Sequence, residues 1–257
     1  MKKIIAVIMA AVLMLGLGAC AKEQEKEKFV IGITIYAPMN YKDENGELIG
    51  FDTEFAEEAC SRLGLEPEFT VINWDTKEVE LNAENIDCIW NGFTVTEERR
   101  QQIDFTDSYL ENKQVIVIRA EDADKYNSIE SLVGAALVAE VSSAGEGAIQ
   151  DEEGLLCGNP YTPVSKQSDA LLEVKSKTAE AAVIDYTMAM AMVGEGTDYA
   201  DLAIMEGAPL LDEEYAIGFK QGSDYVEKFN KVIAEMIADG TMEKIAEKYG
   251  LEGQLIG

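Results

Sequence analysis

An α/β fold is what this chain predicts, on three observations. Short β-rich runs alternate with helical stretches along most of its length. The runs are mostly apolar rather than cleanly alternating, the pattern of strands covered on both faces. Strands joined through helices imply parallel sheets.

Phe29–Ile35 (FVIGITI) reads as the first strand, and Asp43-Glu44-Asn45-Gly46 as a turn. A helix follows. Asp52 can cap it, Phe55, Ala59 and Leu63 recur every four residues, and Gly64 can close it. Glu68–Ile72 and Ile86–Trp90 read as strands. Thr96 can cap the next helix, with Glu97 and Glu98 in its first turn. Val115–Arg119, Ala135–Ala139 and Ala181–Ile184 repeat the strand grammar, and Ser168 opens a helix over Asp169–Lys175. In the tail, Val226, Phe229, Ile233 and Met236 step by three and four residues. Gly240 stops that helix, Thr241 can cap another, and Met242, Ile245 and Tyr249 form its inner face before Gly250.

Composition excludes some functions. With 49 acids against 21 bases, the net charge of −28 leaves no basic footprint for nucleic acid. So much acid makes a soluble, self-repelling surface. There is no histidine for a catalytic triad or zinc site, and no glycine-rich phosphate loop. Neither a metal nor a cofactor is expected, and no enzymatic role. Cys60, Cys88 and Cys157 fit no metal spacing. They read as small buried residues, with at most one bridge that the sequence does not assign.

The first residues differ from the rest. Lys2 and Lys3 precede an apolar run, Ile4–Leu15, which is short for a lasting span, and Leu17-Gly18-Ala19 closes on Cys20. This stretch resembles the lipobox of bacterial lipoproteins. The resemblance implies that residues 1–19 are a signal peptide, removed ahead of a lipidated Cys20. Residues 20–28, ending in the polar run AKEQEKEK, read as that cysteine and a tether.

Three places can carry chemistry. After the strand ending at Trp90, Asn91-Gly92-Phe93-Thr94 sets carbonyls, amides and a hydroxyl at the carboxyl end of a sheet, where open α/β folds bind ligands. Arg99 lies one turn into the following helix, on a side that can reach back over that crevice and fork onto a carboxylate. Arg100 is about a hundred degrees round the helix and reads as solvated. Composition alone favours both arginines pairing with the plentiful surface acids. The second place is Ala181-Ala-Val-Ile-Asp185, an apolar strand that aims a carboxylate at the same kind of edge and suits an ammonium, or caps the helix from Tyr186. The third is Ser142 and Ser143, whose N–H groups and hydroxyls can take an anion at a helix start, although Gly145 and Gly147 weaken that helix.

Taken together, Tyr36-Ala-Pro38, Asp43-Glu-Asn-Gly-Glu-Leu-Ile-Gly-Phe-Asp52, Thr94-Val-Thr-Glu-Glu-Arg99, Ile103-Asp-Phe-Thr-Asp-Ser-Tyr109, Ala238-Asp-Gly-Thr241 and Lys244-Ile-Ala-Glu-Lys-Tyr-Gly250 resemble one family. It is the extracellular solute-binding proteins that serve ABC importers of polar amino acids. The resemblance covers nearly all of Phe29–Gly250.

It implies a two-lobed, periplasmic-binding-protein-like type II fold with two crossover hinge segments, near Glu111–Gln114 and Leu211–Glu213. Lobe one would be 29–111 with 212–257, and lobe two 112–211. It implies a lipid-anchored, extracytoplasmic monomer that delivers an amino acid to an ABC permease. Arg99 matches the family's group for the ligand α-carboxylate, and Asp185 its group for the α-ammonium. Thr94 and the backbone at Asn91 and Gly92 assist, Ser143 and Ser142 complete the carboxylate site, and Tyr36 and Trp74 flank the side chain. The alternatives are an enzyme on the same fold, such as a dehydratase or lytic murein enzyme, and a ligand-sensing domain.

Three departures bear on the ligand. The first loop carries no acid for a ligand cation, which favours glutamine, cystine or another neutral polar side chain over arginine or lysine. Glu140 and Val141 stand where many relatives carry Gln-Gly-Thr or similar, so Glu140 faces either a basic side chain or water. Trp90 either narrows the pocket or packs in the core.

Overall fold

A computed structural model describes residues 27–206 and 210–257. The expected signal peptide, Cys20 and most of the expected tether lie outside the described residues. Glu27 and Lys28, expected at the end of the tether, instead open strand β1 (Glu27–Ile33). The strand continues in register to Glu27↔Leu65, and Lys28 pairs with Glu68 at 2.8 Å. Charged residues are tolerated there because that end of the strand stays exposed.

The first sheet has the order β4-β1-β5-β13-β6. It is built from β1, β4 (Leu65–Val71), β5 (Cys88–Ile89), β6 (Ile103–Phe105) and β13 (Gly218–Lys220). β1 runs parallel to β4 and β5, and β13 runs antiparallel to β5 and β6. The second sheet has the order β11-β7-β10-β8-β9, from β7 (Leu110–Arg119), β8 (Leu137–Glu140), β9 (Tyr161–Val164), β10 (Ala181–Asp185) and β11 (Leu202–Ile204). β8 is parallel to β9 and β10, whereas β7 is antiparallel to β10 and β11. Both sheets are therefore mixed rather than purely parallel, because β7 and β13 enter them from the connections between the two halves. A short hairpin, β2 (Tyr41–Lys42) with β3 (Leu48–Ile49), surrounds the predicted turn.

The halves are joined by β7 and β12 (Leu211–Tyr215), which pair antiparallel with Gln114↔Leu211, Asn112↔Glu213 and Leu110↔Tyr215. Both expected crossing segments lie in this ladder. The architecture is two mixed α/β lobes with two crossover connections.

Helix α1 (Phe51–Leu63) buries Phe55 and Ala59, and Gly64 closes it in the left-handed conformation (φ 74°). Asp52 is not its cap. The helix begins two residues earlier, from an N-cap at Gly50, and the Asp52 carboxylate is fully buried. It accepts the Gly92 N–H at 2.7 Å and the Tyr109 hydroxyl at 2.9 Å. The helices α2 (Lys77–Asn82), α3 (Glu97–Arg100), α4 (Ala144–Gln150), α5 (Gln167–Lys175) and α6 (Tyr186–Met192) follow in chain order. Ser168 sits inside α5, whose N-cap is Lys166. In the tail, α7 (Tyr225–Ala238) buries Phe229, Ile233 and Met236, and α8 (Thr241–Tyr249) buries Met242 and Ala246. Thr241 is the first helical residue of α8 rather than its cap, because left-handed Gly240 holds that position.

Cys60 and Cys88 are buried free thiols, and burial pushes the Cys60 thiol up to about 12. Cys157, also free, is exposed rather than buried. Trp90 packs in the core, fully buried, edge-on to Phe55 (4.7 Å) and Phe229 (5.5 Å).

Candidate functional site

The loop after β5 is fixed from behind by side chains of the first lobe. The Asn91 carboxamide oxygen accepts from the Thr34 N–H (3.0 Å) and hydroxyl (2.6 Å), while its amide donates to Thr34 O (3.1 Å) and Asn40 Oδ1 (2.7 Å). Asn91 thus uses its side chain to lock the loop. Gly92 has φ 57°, and a Cβ there would meet the Tyr36 ring at 2.7 Å and the Tyr215 ring at 3.1 Å. Only glycine suits both the backbone and the space. Its N–H is committed to Asp52, whose carboxyl burial raises to about 7, so the carbonyl is what this loop offers a guest.

Thr96 caps α3 by accepting the Arg99 N–H at 3.1 Å. That places the Arg99 guanidinium over the Phe93 ring at 4.7 Å. Nη1 donates to Thr94 O at 2.7 Å, and Nη2 donates across the cleft to Ser142 O at 3.1 Å. Among the described residues no carboxylate lies within ion-pair distance of Arg99, so the surface-acid alternative does not hold. Burial lowers its pKa, but a guanidinium stays charged regardless. Arg100 is exposed over Phe105.

Asp185 ends β10 and stands at the N-cap position of α6, yet its side chain makes no capping bond. The carboxylate is 5% exposed and accepts from the amides of Asn112 (3.3 Å), Gln114 and Gln167. Ser143 caps α4, accepting the Glu146 N–H at 3.0 Å and keeping its own O–H to donate. Gly145 lets α4 approach β10, since a Cβ would meet Val183 O at 2.7 Å.

One cavity between the lobes is lined by eight of the nine expected residues: Tyr36, Trp74, Asn91, Gly92, Thr94, Arg99, Ser143 and Asp185. Ser142 lies outside it. Its hydroxyl donates to Asp75 at 2.7 Å, and its carbonyl accepts from Arg99 and, at 3.1 Å, from Lys77. Its φ of 58° turns that carbonyl toward the first lobe.

Glu140 also lines the cavity, at 4% exposure and with no side-chain hydrogen bond or ion pair among the described residues. Burial, with the charges of Asp185 and Asp169, lifts its carboxyl to about 8 against the opposing charges of Lys77 and Lys166. Lys166 and Gln167 complete the side provided by the second lobe, with Lys166 exposed at the rim. Below the cavity, on the hinge strands, Glu213 accepts from Thr94 (3.1 Å), Asn112 (2.5 Å) and Gln114 (2.9 Å).

Sequence reasoning singled out none of Asn112, Gln114, Lys166, Gln167 or Glu213 as a site residue. Glu140 carried a usable signal, because LVAE ends an apolar strand in an acid just as AAVID does.

The arrangement offers a cation on one wall and carboxyl groups on the other, in a cleft whose walls touch where Lys77 and Arg99 donate to Ser142 O. Such an arrangement can hold a zwitterion. Residues 29–252 match the family described as bacterial extracellular solute-binding proteins, family 3. The arginine-binding extracellular protein ArtP of Bacillus subtilis is 29% identical over 97% of this chain and 98% of its own length. The histidine-binding periplasmic protein of Escherichia coli is 30% identical over 83% of this chain and 84% of its own. The structure of an ancestral arginine-binding protein bound to arginine superimposes with a TM-score of 0.80 at 32% identity, covering 87% of this chain and 98% of that one. All three are named for a solute they bind. The chain belongs to family 3 of the bacterial extracellular solute-binding proteins, and it is an extracytoplasmic amino-acid-binding protein that delivers its ligand to an ABC permease.

Proposed function

We propose that this protein captures an amino acid with a cationic side chain, as a monomer anchored by lipid on Cys20. Arg99 takes the α-carboxylate, joined by the Ser143 hydroxyl. Asp185 takes the α-ammonium, with the Thr94 hydroxyl and the Gly92 carbonyl. Tyr36 and Trp74 flank the aliphatic part of the side chain, and Glu140 meets its charge. The moving bodies are 29–111 with 212–257 against 112–211, bending at the paired strands β7 and β12.

The observation that carries the ligand class is Glu140. A carboxylate with no partner is costly to bury, and a guest cation removes that cost. The first loop indeed has no acid for such a cation, but this reading draws the acid from the second lobe instead. The arginine and histidine named for the relatives above are consistent with it.

A thermal-shift screen of the common amino acids tests the reading, since a ligand raises the melting point according to its saturation. Arginine, ornithine, lysine or histidine is expected to give the largest shift. A neutral amino acid in first place would refute the cationic assignment. Glu140→Gln is expected to weaken the cationic ligand about ten- to a hundredfold by calorimetry, the value of one charge-assisted hydrogen bond, and to leave neutral amino acids little affected.

The anchor is tested separately. Among the described residues no helix is long and apolar enough to cross a membrane. Cys20→Ala is expected to move the protein from the membrane fraction to the medium, and continued membrane association would rule the lipid out.

A further inference from the structure

The hinge supplies a carboxyl group to the site as well as a bend. Glu213 lies on β12 directly opposite Asn112 on β7 and is 8% exposed. Its Oε1 accepts three hydrogen bonds, from Thr94, Asn112 and Gln114. Among the described residues its buried Oε2 has no partner, nor does the buried Gln114 Oε1. The Asn112 and Gln114 amides donate to Glu213 and also to Asp185 Oδ1. Two buried carboxyls therefore share the same two donors, and neither has an ion-pair partner among the described residues.

Two buried carboxylates in one network do not both ionise readily. Two orphaned acceptors beside them are the mark of a missing donor, and a proton on one carboxyl supplies it. We propose that Glu213 and Asp185 hold a single proton, carried by Glu213, and that the α-ammonium of the incoming amino acid expels it to solvent. This rests on the reading that Asp185 receives the ammonium. The pair passes from one negative charge to two as one positive charge arrives, and one proton leaves.

The other titratable and charged groups facing the pair are Arg99 from α3, Glu140 from β8, Tyr36 from the first loop and Tyr215 from β12. Burial, with Asp185 next, lifts the Glu213 carboxyl to about 8. The unliganded protein thus keeps the proton below about pH 8, while the ammonium lowers the carboxyl's pKa in the complex. Affinity rises with pH toward about 8, by up to about tenfold per unit, and then levels.

Two measurements on the full chain decide this. The first needs no ligand. At neutral pH, infrared difference spectra of wild type against Glu213→Gln are expected to show a protonated-carboxyl band that Glu140→Gln retains. Absence of that band would overturn the proton assignment. The second is calorimetry near pH 7 in buffers of different ionisation enthalpy, using whichever common L-amino acid or cystine gives the largest thermal shift. Because Glu140, which lines the cavity, is also raised to about 8, the comparison is made in a Glu140→Gln background. About one proton is expected to be released there, and none once Glu213→Gln is added. Binding without release from protein that retains Glu213 overturns the expulsion and leaves the capture reading intact. If no amino acid binds, capture and expulsion fall together, and the infrared result still decides where the proton sits.

Discussion

Replacing Arg99 with alanine is expected to abolish amino-acid capture while the protein stays folded. In the proposed reading the guanidinium, presented from α3, takes the α-carboxylate, and among the described residues it has no acid of its own. A forked contact provides two charge-assisted hydrogen bonds of roughly 1.5–3 kcal/mol each, so its loss costs about two to four orders of magnitude in affinity. The truncation also leaves Thr94 O and Ser142 O without Arg99, although Ser142 O keeps Lys77. Stability is expected to change little, because α3 is a four-residue helix on the cleft wall with no fully buried residue. Arg99→Lys is expected to restore only part of the affinity, since a point charge lacks the planar fork. Calorimetry reads the binding and a melting curve reads the fold. Unchanged affinity in Arg99→Ala would remove Arg99 from the site.

Trp90→Ala is expected to act the opposite way, on stability. The indole is fully buried between Phe55 and Phe229, and emptying such a space costs about 3–5 kcal/mol. For a chain of this size the melting point is expected to fall by roughly 6–20 °C. Among the described residues the indole N–H makes no well-formed hydrogen bond, so Trp90→Phe, which keeps most of the packing, is expected to fall much less. At temperatures where the alanine variant is still folded, its affinity is expected to stay far nearer wild type than that of Arg99→Ala, because Trp90 does not line the cavity. A fall in affinity as large as that of Arg99→Ala would mean that Trp90 shapes the pocket after all.

The fold was legible where side-chain period alone decides it. Phe229, Ile233 and Met236 face the core at the spacing that marks them in the sequence, and Gly64 and Gly250 close their helices. Capping residues were less legible. Asp52 and Thr241 are good caps by type, but Gly50 and Gly240 take those positions, and Asp52 is held by the distant Gly92 and Tyr109.

In the site, residues at the ends of apolar strands could be found, because such an end faces the crevice. Asp185 was found this way and Glu140 could have been. Glu213 could not. It is one of 49 acids on an exposed-looking LDEEY strand, and only its pairing with Asn112 on a segment a hundred residues away reveals its role. Ser142 illustrates a further limit. A hydroxyl next to Ser143 looks like a second anion donor, but a positive φ rotates the residue out of the cavity and onto Asp75.

That rotation has a genetic corollary. The second lobe grips Lys77 and Arg99 through a main-chain oxygen at Ser142, and every amino acid carries that oxygen. Swapping the Ser142 side chain for another that tolerates the positive φ severs only the tie to Asp75. Mutational scans of this loop would pass over the contact in silence, and it would surface only from the opposite wall, as a shared phenotype of the lysine and the arginine.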